Sequence, residues 1–285
     1  MSPNRLGARE ELGERLRQYR DAAGLSGHAV GATLGCNQSR VSRIESGKTR
    51  ISAEQVRQWL DVTGAPADAY DDLLELAERA EVEVVSWNDA HASGWAAHQN
   101  DYAAIEREAS RILIWQPAVI PGLMQSGAYV RHFLAKVRRL PERQVAEGIA
   151  ARLDRQDVLH QPGTHLEVVI AEHVLKQRFG GPKVMIEQLH RVASLAQLPS
   201  VDLAVLPSDT DMDETYEPSA VIYLAPHEDA NDLAVIELAT SVVRERKPEN
   251  VQRYTDLFRT YQAHSLRGPD AIERVEHIAK HMDAG

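Results

Sequence analysis

The sequence predicts a mixed fold: an N-terminal all-α domain of five short helices, then a larger α+β domain with a small mixed sheet. Two observations carry this. Over residues 10–80 apolar residues recur at helical spacing, and glycine closes each of the first four runs. From about residue 165 the texture changes to short β-branched runs separated by turn-forming and polar residues.

In the first helix Leu12, Leu16 and Tyr19 share one face, and Gly24 follows at a stop position. Ser26 caps the second, whose Ala29, Val30, Thr33 and Leu34 are expected to face inward before Gly35 ends it. Asn37 caps the third, with Val41 and Ile44 on its buried side and Gly47 as its end. Ser52 opens the fourth, with Val56, Leu60 and Val62, ended by Gly64. Pro66 sits in the first turn of the fifth, which carries Tyr70, Leu73, Leu74 and Ala77 on one face.

The expected boundaries are a helical domain over 1–80, a connecting segment over 81–110 and an α+β domain over 111–285. The connection passes into a helix from about Asn100 to Arg111. A turn at Pro121–Gly122 leads to another helix, and Pro141 starts one that runs to about Leu159. Residues 165–172, 201–207, 219–226 and 233–239 read as strands, with helical spacing over Val184–Leu195 and closing helices at 249–265 and 270–282. Strand, helix, strand and then two adjacent strands give a mixed sheet with helices packed on it.

Composition sets limits on function. Apolar residues make up 43% and charged residues 26%, as in an ordinary globular protein. No apolar run reaches membrane-spanning length, and the polar N-terminal stretch has no signal-like core, so a cytoplasmic protein with no membrane partner is expected. The single cysteine, Cys36, cannot form an intramolecular disulfide or a Cys-rich zinc site. A net charge of −10 at first argues against a polyanionic partner. The charge is divided, however: residues 1–57 hold ten Lys/Arg against six Asp/Glu, a net of +4, which leaves −14 for the remainder. A basic head on an acidic body suits phosphate contact by the head alone.

The motif that matters is Leu25–Thr49, LSGHAVGATLGCNQSRVSRIESGKT. Two short helices are joined through Gly35-Cys36-Asn37, and Gly35 supplies the positive φ that so tight a turn requires. With Val30, Leu34, Val41 and Ile44 interlocked, Gln38, Ser39, Ser42 and Arg43 fall on the opposite, open face of the third helix. That face suits the major groove of double-stranded DNA. Gln matches adenine bidentately and Arg matches guanine, each good pair contributing about 1–3 kcal/mol of discrimination. The segment resembles the Cro/C1 (XRE) family of repressor-like helix-turn-helix regulators, on its turn glycine and on Ser42-Arg43-Ile44-Glu45-Ser46-Gly47-Lys48. The resemblance implies base contacts by Gln38, Ser39, Ser42 and Arg43, and phosphate contacts by Arg17, Ser26, Asn37, Arg40 and Lys48. The family usually has Gln where this chain has Gly27. Ser26 then substitutes through its hydroxyl or through the helix N-terminus.

The rest of the chain resembles actinobacterial, Streptomyces-type regulators that join such a head to a domain of unknown function. The matching stretches are Tyr102–Ala109, Trp115–Tyr129, Ala151–Leu159, Val168–Val174, Tyr216–Tyr223 and the 233–239 strand. The resemblance implies a small protein partner encoded nearby. Within this half, the turn at 121–125 reads either as a wall of a pocket or partner surface, or as a structural turn packing Trp115 and Leu123. Arg152, Arg155 and Gln156 with Glu172 read either as an anion or protein site, or as a solvated charged face with Glu172 as ion-pair partner.

Other constellations are weak. Asp209, Asp211 and Asp213 imitate the start of a calcium loop, but Glu214 stands where that loop needs Gly and Ala220 where it needs Glu, so an acidic surface loop is expected. His277 and His281 lie four apart with no third ligand in sequence, which favours a surface helix over a metal site. No catalytic motif appears, and neither an enzyme activity nor a cofactor is expected. Two functions remain. One is a sequence-specific transcriptional repressor or activator, binding as a homodimer because one helix reads too few base pairs alone, with a C-terminal domain that receives a signal. The other is an antitoxin-like module that sequesters a partner and autoregulates.

Overall fold

The computed structural model describes residues 7–92, 94–213, 218–226 and 232–282, without the side chain of Asn88. Glu214 of the acidic loop and Tyr216 of the Tyr216–Tyr223 stretch lie outside the described residues. The chain divides into two compact units. Among the described residues the first comprises 7–84 and 244–247, and the second comprises the rest.

The first unit is built on five helices: α1 (Ala8–Ala22), α2 (Gly27–Thr33), α3 (Gln38–Glu45), α4 (Ala53–Thr63) and α5 (Asp68–Glu81). Ser26, Asn37 and Ser52 cap α2, α3 and α4 through their side chains, as their positions in the sequence predict. One apolar cluster joins all five helices, including Leu12, Leu16, Val30, Val41, Ile44, Val56, Leu60, Leu73 and Ala77. Two residues differ from expectation. Thr33 is exposed, and Gly31 takes the buried place beside Val30. Trp59 is fully buried, and its indole N–H donates to the Leu16 carbonyl at 3.1 Å, tying α4 to α1.

Residues 81–110, expected to be a connection passing into a helix, form β1 (Val82–Ser86), α6 (Trp87–Ala90) and α7 (Trp95–Glu108). Then come β2 (Arg111–Gln116), a 3-10 turn at Gly122–Met124, α8 (Gly127–His132), a π-helical turn at Phe133–Val137 and α9 (Glu142–Arg155). The remaining elements are β3 (His165–Ala171), α10 (Glu172–Leu175), α11 (Pro182–Leu195), β4 (Val201–Leu206), β5 (Ala220–Leu224), β6 (Leu233–Glu237), β7 (Ser241–Glu245), α12 (Pro248–Ala263), β8 (Leu266–Arg267) and α13 (Pro269–His281).

The sheet is mixed, and with eight strands among the described residues it is larger than the four the sequence predicts. Its order is β1-β7-β6-β5-β2-β3-β4-β8. Strands β2, β3 and β4 run parallel; β5 lies antiparallel to β2, and β6 to β5. The central strand β2 was the main omission. Its run RILIWQ is buried at five of six positions. A strand covered on both faces shows no alternation, so Ile112–Gln116, just past the expected helix end at Arg111, carries no strand signal of its own. On one face Trp115 packs against Tyr261 of α12, with ring centroids 4.3 Å apart and planes tilted by 32°. Tyr223 pairs in register with Ile112 and so belongs to the other face, where Glu106 of α7 and Arg155 of α9 act on it electrostatically.

Candidate nucleic-acid interface

The α2–α3 pair is set by backbone close approach as much as by side chains. Gly35 holds φ +66°, the left-handed conformation that lets the chain reverse between helices. The Cys36 N–H donates to the Gly31 carbonyl at 2.8 Å. A Cβ on Gly31 would stand 2.6 Å from the Cys36 carbonyl oxygen, so only glycine fits there. On α1, a Cβ on Gly13 would lie 2.5 Å from the Ile44 carbonyl oxygen and 2.6 Å from that of Glu45. The C-terminal end of α3 therefore rests on the backbone of α1. An ion pair reinforces this contact: Arg20 Nη2 donates to Glu45 Oε2 at 3.0 Å, and Arg20 Nη1 to the Leu25 carbonyl at 3.0 Å. The Glu45 hydrogen bond is the largest influence on the Arg20 guanidinium, which is held above its ordinary pKa.

With that face anchored, Val41 and Ile44 are 1% and 2% exposed, whereas Gln38, Ser39, Ser42 and Arg43 all lie on the exposed side of α3. The four sequence-selected base readers thus share one open helical surface. The phosphate set is more varied. Arg17 and Lys48 are exposed; Arg17 lies 3.6 Å from Asp21, so part of its charge is offset within α1. Ser26 and Asn37 are exposed but already engaged in capping: Ser26 Oγ accepts from the Ala29 N–H at 3.2 Å and Asn37 Oδ1 from the Arg40 N–H at 2.9 Å. Each keeps hydrogens to donate, from the Ser26 hydroxyl and the Asn37 amide. Arg40 is half-buried, not a freely extended arm. Gly27 sits beside Gln38: a Cβ there would meet Gln38 Cγ at 3.4 Å.

Sequence reading missed Gly13, Gly31 and the Arg20–Glu45 pair. None has a periodic signal. Arg20 and Glu45 are separated by 25 residues, and a glycine within a helix marks close approach only once the partner helix is known.

In the second unit Arg152 and Gln156 close on the 122–126 turn, apart from Glu172. Arg152 and Arg155 do not meet Glu172, nor do they form a solvated face. Arg152 is buried, with Nε donating to Gln99 Oε1 at 2.9 Å and Nη1 to Gln125 Oε1 at 2.5 Å. Burial is the main cause that brings its guanidinium down to about 10, and Arg155 adds to the effect. Arg155 clasps Glu106 with both carboxylate oxygens at 3.0 and 2.8 Å; burial pushes Glu106 up, and Arg155 opposes it. Gln156 and Gln188 fasten the 122–126 turn, donating to the Gln125 carbonyl at 2.8 Å and the Met124 carbonyl at 2.7 Å. Leu123 and Met124 are fully buried there. Glu172 is held elsewhere, by Arg274 at 2.7 Å, Lys176 at 3.0 Å and the Ser208 N–H at 3.0 Å. No group of three or more His, Cys, Asp or Glu side chains converges as metal ligands would, among the described residues. No helix among them is long and apolar enough to cross a membrane.

Comparison with known proteins matches this division. Residues 11–73 match the model of a helix-turn-helix domain, and residues 99–277 match that of a domain of unknown function, DUF5753. No curated protein matches the chain. Among solved structures, one similar chain is TrmBL2, an archaeal chromatin protein described as showing a novel mode of DNA binding. It shares 14% identity over 74% of this chain, at a TM-score of 0.32. This chain spans 65% of that protein's length. A phospholipase D family member, Nuc from Salmonella typhimurium, shares 10% identity over 66% of this chain and 97% of its own, at a TM-score of 0.34. Likenesses this weak say nothing about function.

Proposed function

The chain belongs to the family of the domain of unknown function DUF5753, and on that premise we propose that it is a sequence-specific, DNA-binding transcriptional regulator of the Cro/C1 (XRE) type. One observation carries the reading: Gln38, Ser39, Ser42 and Arg43 share the open face of a helix whose opposite face is locked inward by Val41 and Ile44. Such a face enters the major groove, with Gln38 and Arg43 reading base edges. Arg17, Ser26, Asn37, Arg40 and Lys48 bind the flanking phosphates. Ser26, at the start of α2, replaces the family's usual glutamine at Gly27 with a hydroxyl and a helix N-terminus.

The protein acts in the cytoplasm as a homodimer, because a single eight-residue helix covers too few base pairs to select a site among many. The second unit receives the signal, from a small partner protein or a ligand. No chemical step is assigned to either unit. The test is affinity for fragments of the source genome, including the region upstream of the chain's own gene, against random DNA of equal length. Preference for particular fragments by about a thousandfold or more is the expected result. Equal binding to all fragments, or none, overturns the reading.

A further inference from the structure

We propose that an aromatic stack in the second unit is a pH-sensitive latch: with His91 neutral it holds the end of α6 against α7 and the π-helical turn, and protonation of His91 releases it. The His91 imidazole stacks on two indoles, with centroids 5.3 Å from Trp87 and 4.5 Å from Trp95 and planes inclined by only 13° and 17°. His98 of α7 meets it edge-on at 4.5 Å. The same two indoles, with Phe133, also hold the Arg138 guanidinium. Its central carbon lies 5.1, 5.5 and 5.3 Å from the ring centroids of Trp87, Trp95 and Phe133.

The outer rings are anchored and the centre is not. Trp95 is buried in an apolar cluster with Val130, Leu134 and Val145. The Trp87 indole N–H donates to the Leu238 carbonyl at 2.8 Å. His91, by contrast, follows a helix of only four residues. Its Nε2 is buried without a hydrogen-bond partner, and so is Arg138 Nε. Ring packing therefore holds these two groups in the cluster, with no hydrogen bond at either buried nitrogen.

A neutral imidazole suits this setting and an imidazolium does not. Protonation places a hydrogen on Nε2 where no acceptor stands, and a second positive charge on rings that already carry a guanidinium. Attraction between the imidazolium and the indole faces offsets part of this, but Arg138 competes for the same rings. The titratable and charged groups facing His91 are Arg138 beyond the π-helical turn, His98 on α7 and Asp89 on α6. Asp89 is exposed and accepts from Ser86 Oγ at 2.8 Å. Burial, and then Arg138, hold His91 below its ordinary pKa of 6.5, and the Trp87 backbone opposes them. The stability that the closed stack supplies is therefore complete above about pH 6.5 and is lost as pH falls below that value.

The inference does not depend on DNA binding. The test is a titration of the full chain from about pH 7.5 to about pH 5, above the range in which carboxylates ordinarily titrate, following histidine side-chain resonances and tryptophan emission together. His91 should titrate at least about half a unit below the exposed His160 and His264, in step with a reversible change in emission. His91→Phe keeps a ring in the stack but cannot charge; it should abolish the emission step while retaining the far-UV circular dichroism, and His91→Gln should abolish it too. Arg138→Gln should move the midpoint upward by at least about half a unit, and His98→Gln should leave the step in place. The proposal is overturned if His91 titrates with the exposed histidines, if its titration leaves emission unchanged, if the step survives in both His91 variants or disappears in His98→Gln, or if the midpoint ignores Arg138→Gln.

Discussion

Arg20 on α1 holds Glu45 at the last position of α3, with Nη2 and Oε2 3.0 Å apart and both side chains largely shielded from solvent. The pair ties the last residue of α3 to α1, outside the four proposed base contacts. Arg20→Met should therefore lower DNA affinity although the exposed face of α3 keeps every side chain. The loss of a charged hydrogen bond should also cost the helical unit about 1–3 kcal/mol. Urea unfolding beside a DNA titration checks this. Full affinity with reduced stability would show that α3 is positioned by packing alone.

The proposed division between base and phosphate roles separates two variants. Arg43→Ala should relax preference at one base position, by about 1–3 kcal/mol. Lys48→Ala should weaken binding to all sequences alike and reduce the salt slope by about one counterion. Competition binding with single-base operator variants at two salt concentrations distinguishes the two. Identical behaviour would remove the distinction.

Gly13 is a steric requirement of the fold. A methyl group there would lie 2.5 Å from the Ile44 carbonyl oxygen, and backbone cannot rotate aside as a side chain can. Gly13→Ala should destabilise the first unit by about 1–3 kcal/mol even though alanine favours helix. It should also shift α3 and so weaken DNA binding, which a thermal melt and a gel-shift titration would detect.

Acid should unfold the second unit through two shielded glutamates. Burial raises the Glu167 carboxyl, but hydrogen bonds from Arg259, Arg111 and Gln262 outweigh it and hold the group at about 2. Burial likewise raises Glu172, and the Ser208 N–H, Lys176 and Arg274 hold it at about 2. Both carboxyls lie below their ordinary value of 4.5, so the stability they supply is present above about pH 4.5 and is lost as pH falls toward 2. Urea midpoints measured from about pH 5 down to about pH 2.5 should fall steeply. Glu167→Gln, less stable at neutral pH, should lose less over the same interval. An equal slope in the variant would assign the acid sensitivity to other groups.

The open face of α3 was legible because it rests on local periodicity. Val41 and Ile44 are three apart, as Gln38 and Ser42 are four apart, so an eight-residue helix sorts them onto opposite sides without reference to the rest of the chain. The capping roles of Ser26, Asn37 and Ser52 are equally local, since each side chain reaches only three residues ahead. The Arg152–Gln99–Gln125 and Arg155–Glu106 contacts lay beyond such reading. Along α9 those arginines look like a charged surface, and only the approach of α7 and of the 122–126 turn encloses them.

The sequence by itself determined the helical head, its turn at Gly35 and which side chains of the third helix stay open, because each depends on spacing within a few residues. Tertiary structure alone decided that Arg111–Gln116 forms a central strand, that Gly13 and Gly31 are contact points between helices, and that Arg20 meets Glu45. The physical reason is distance along the chain. A buried strand and a helix crossing take their character from partners tens of residues away, and nothing in the local pattern records which partner will arrive.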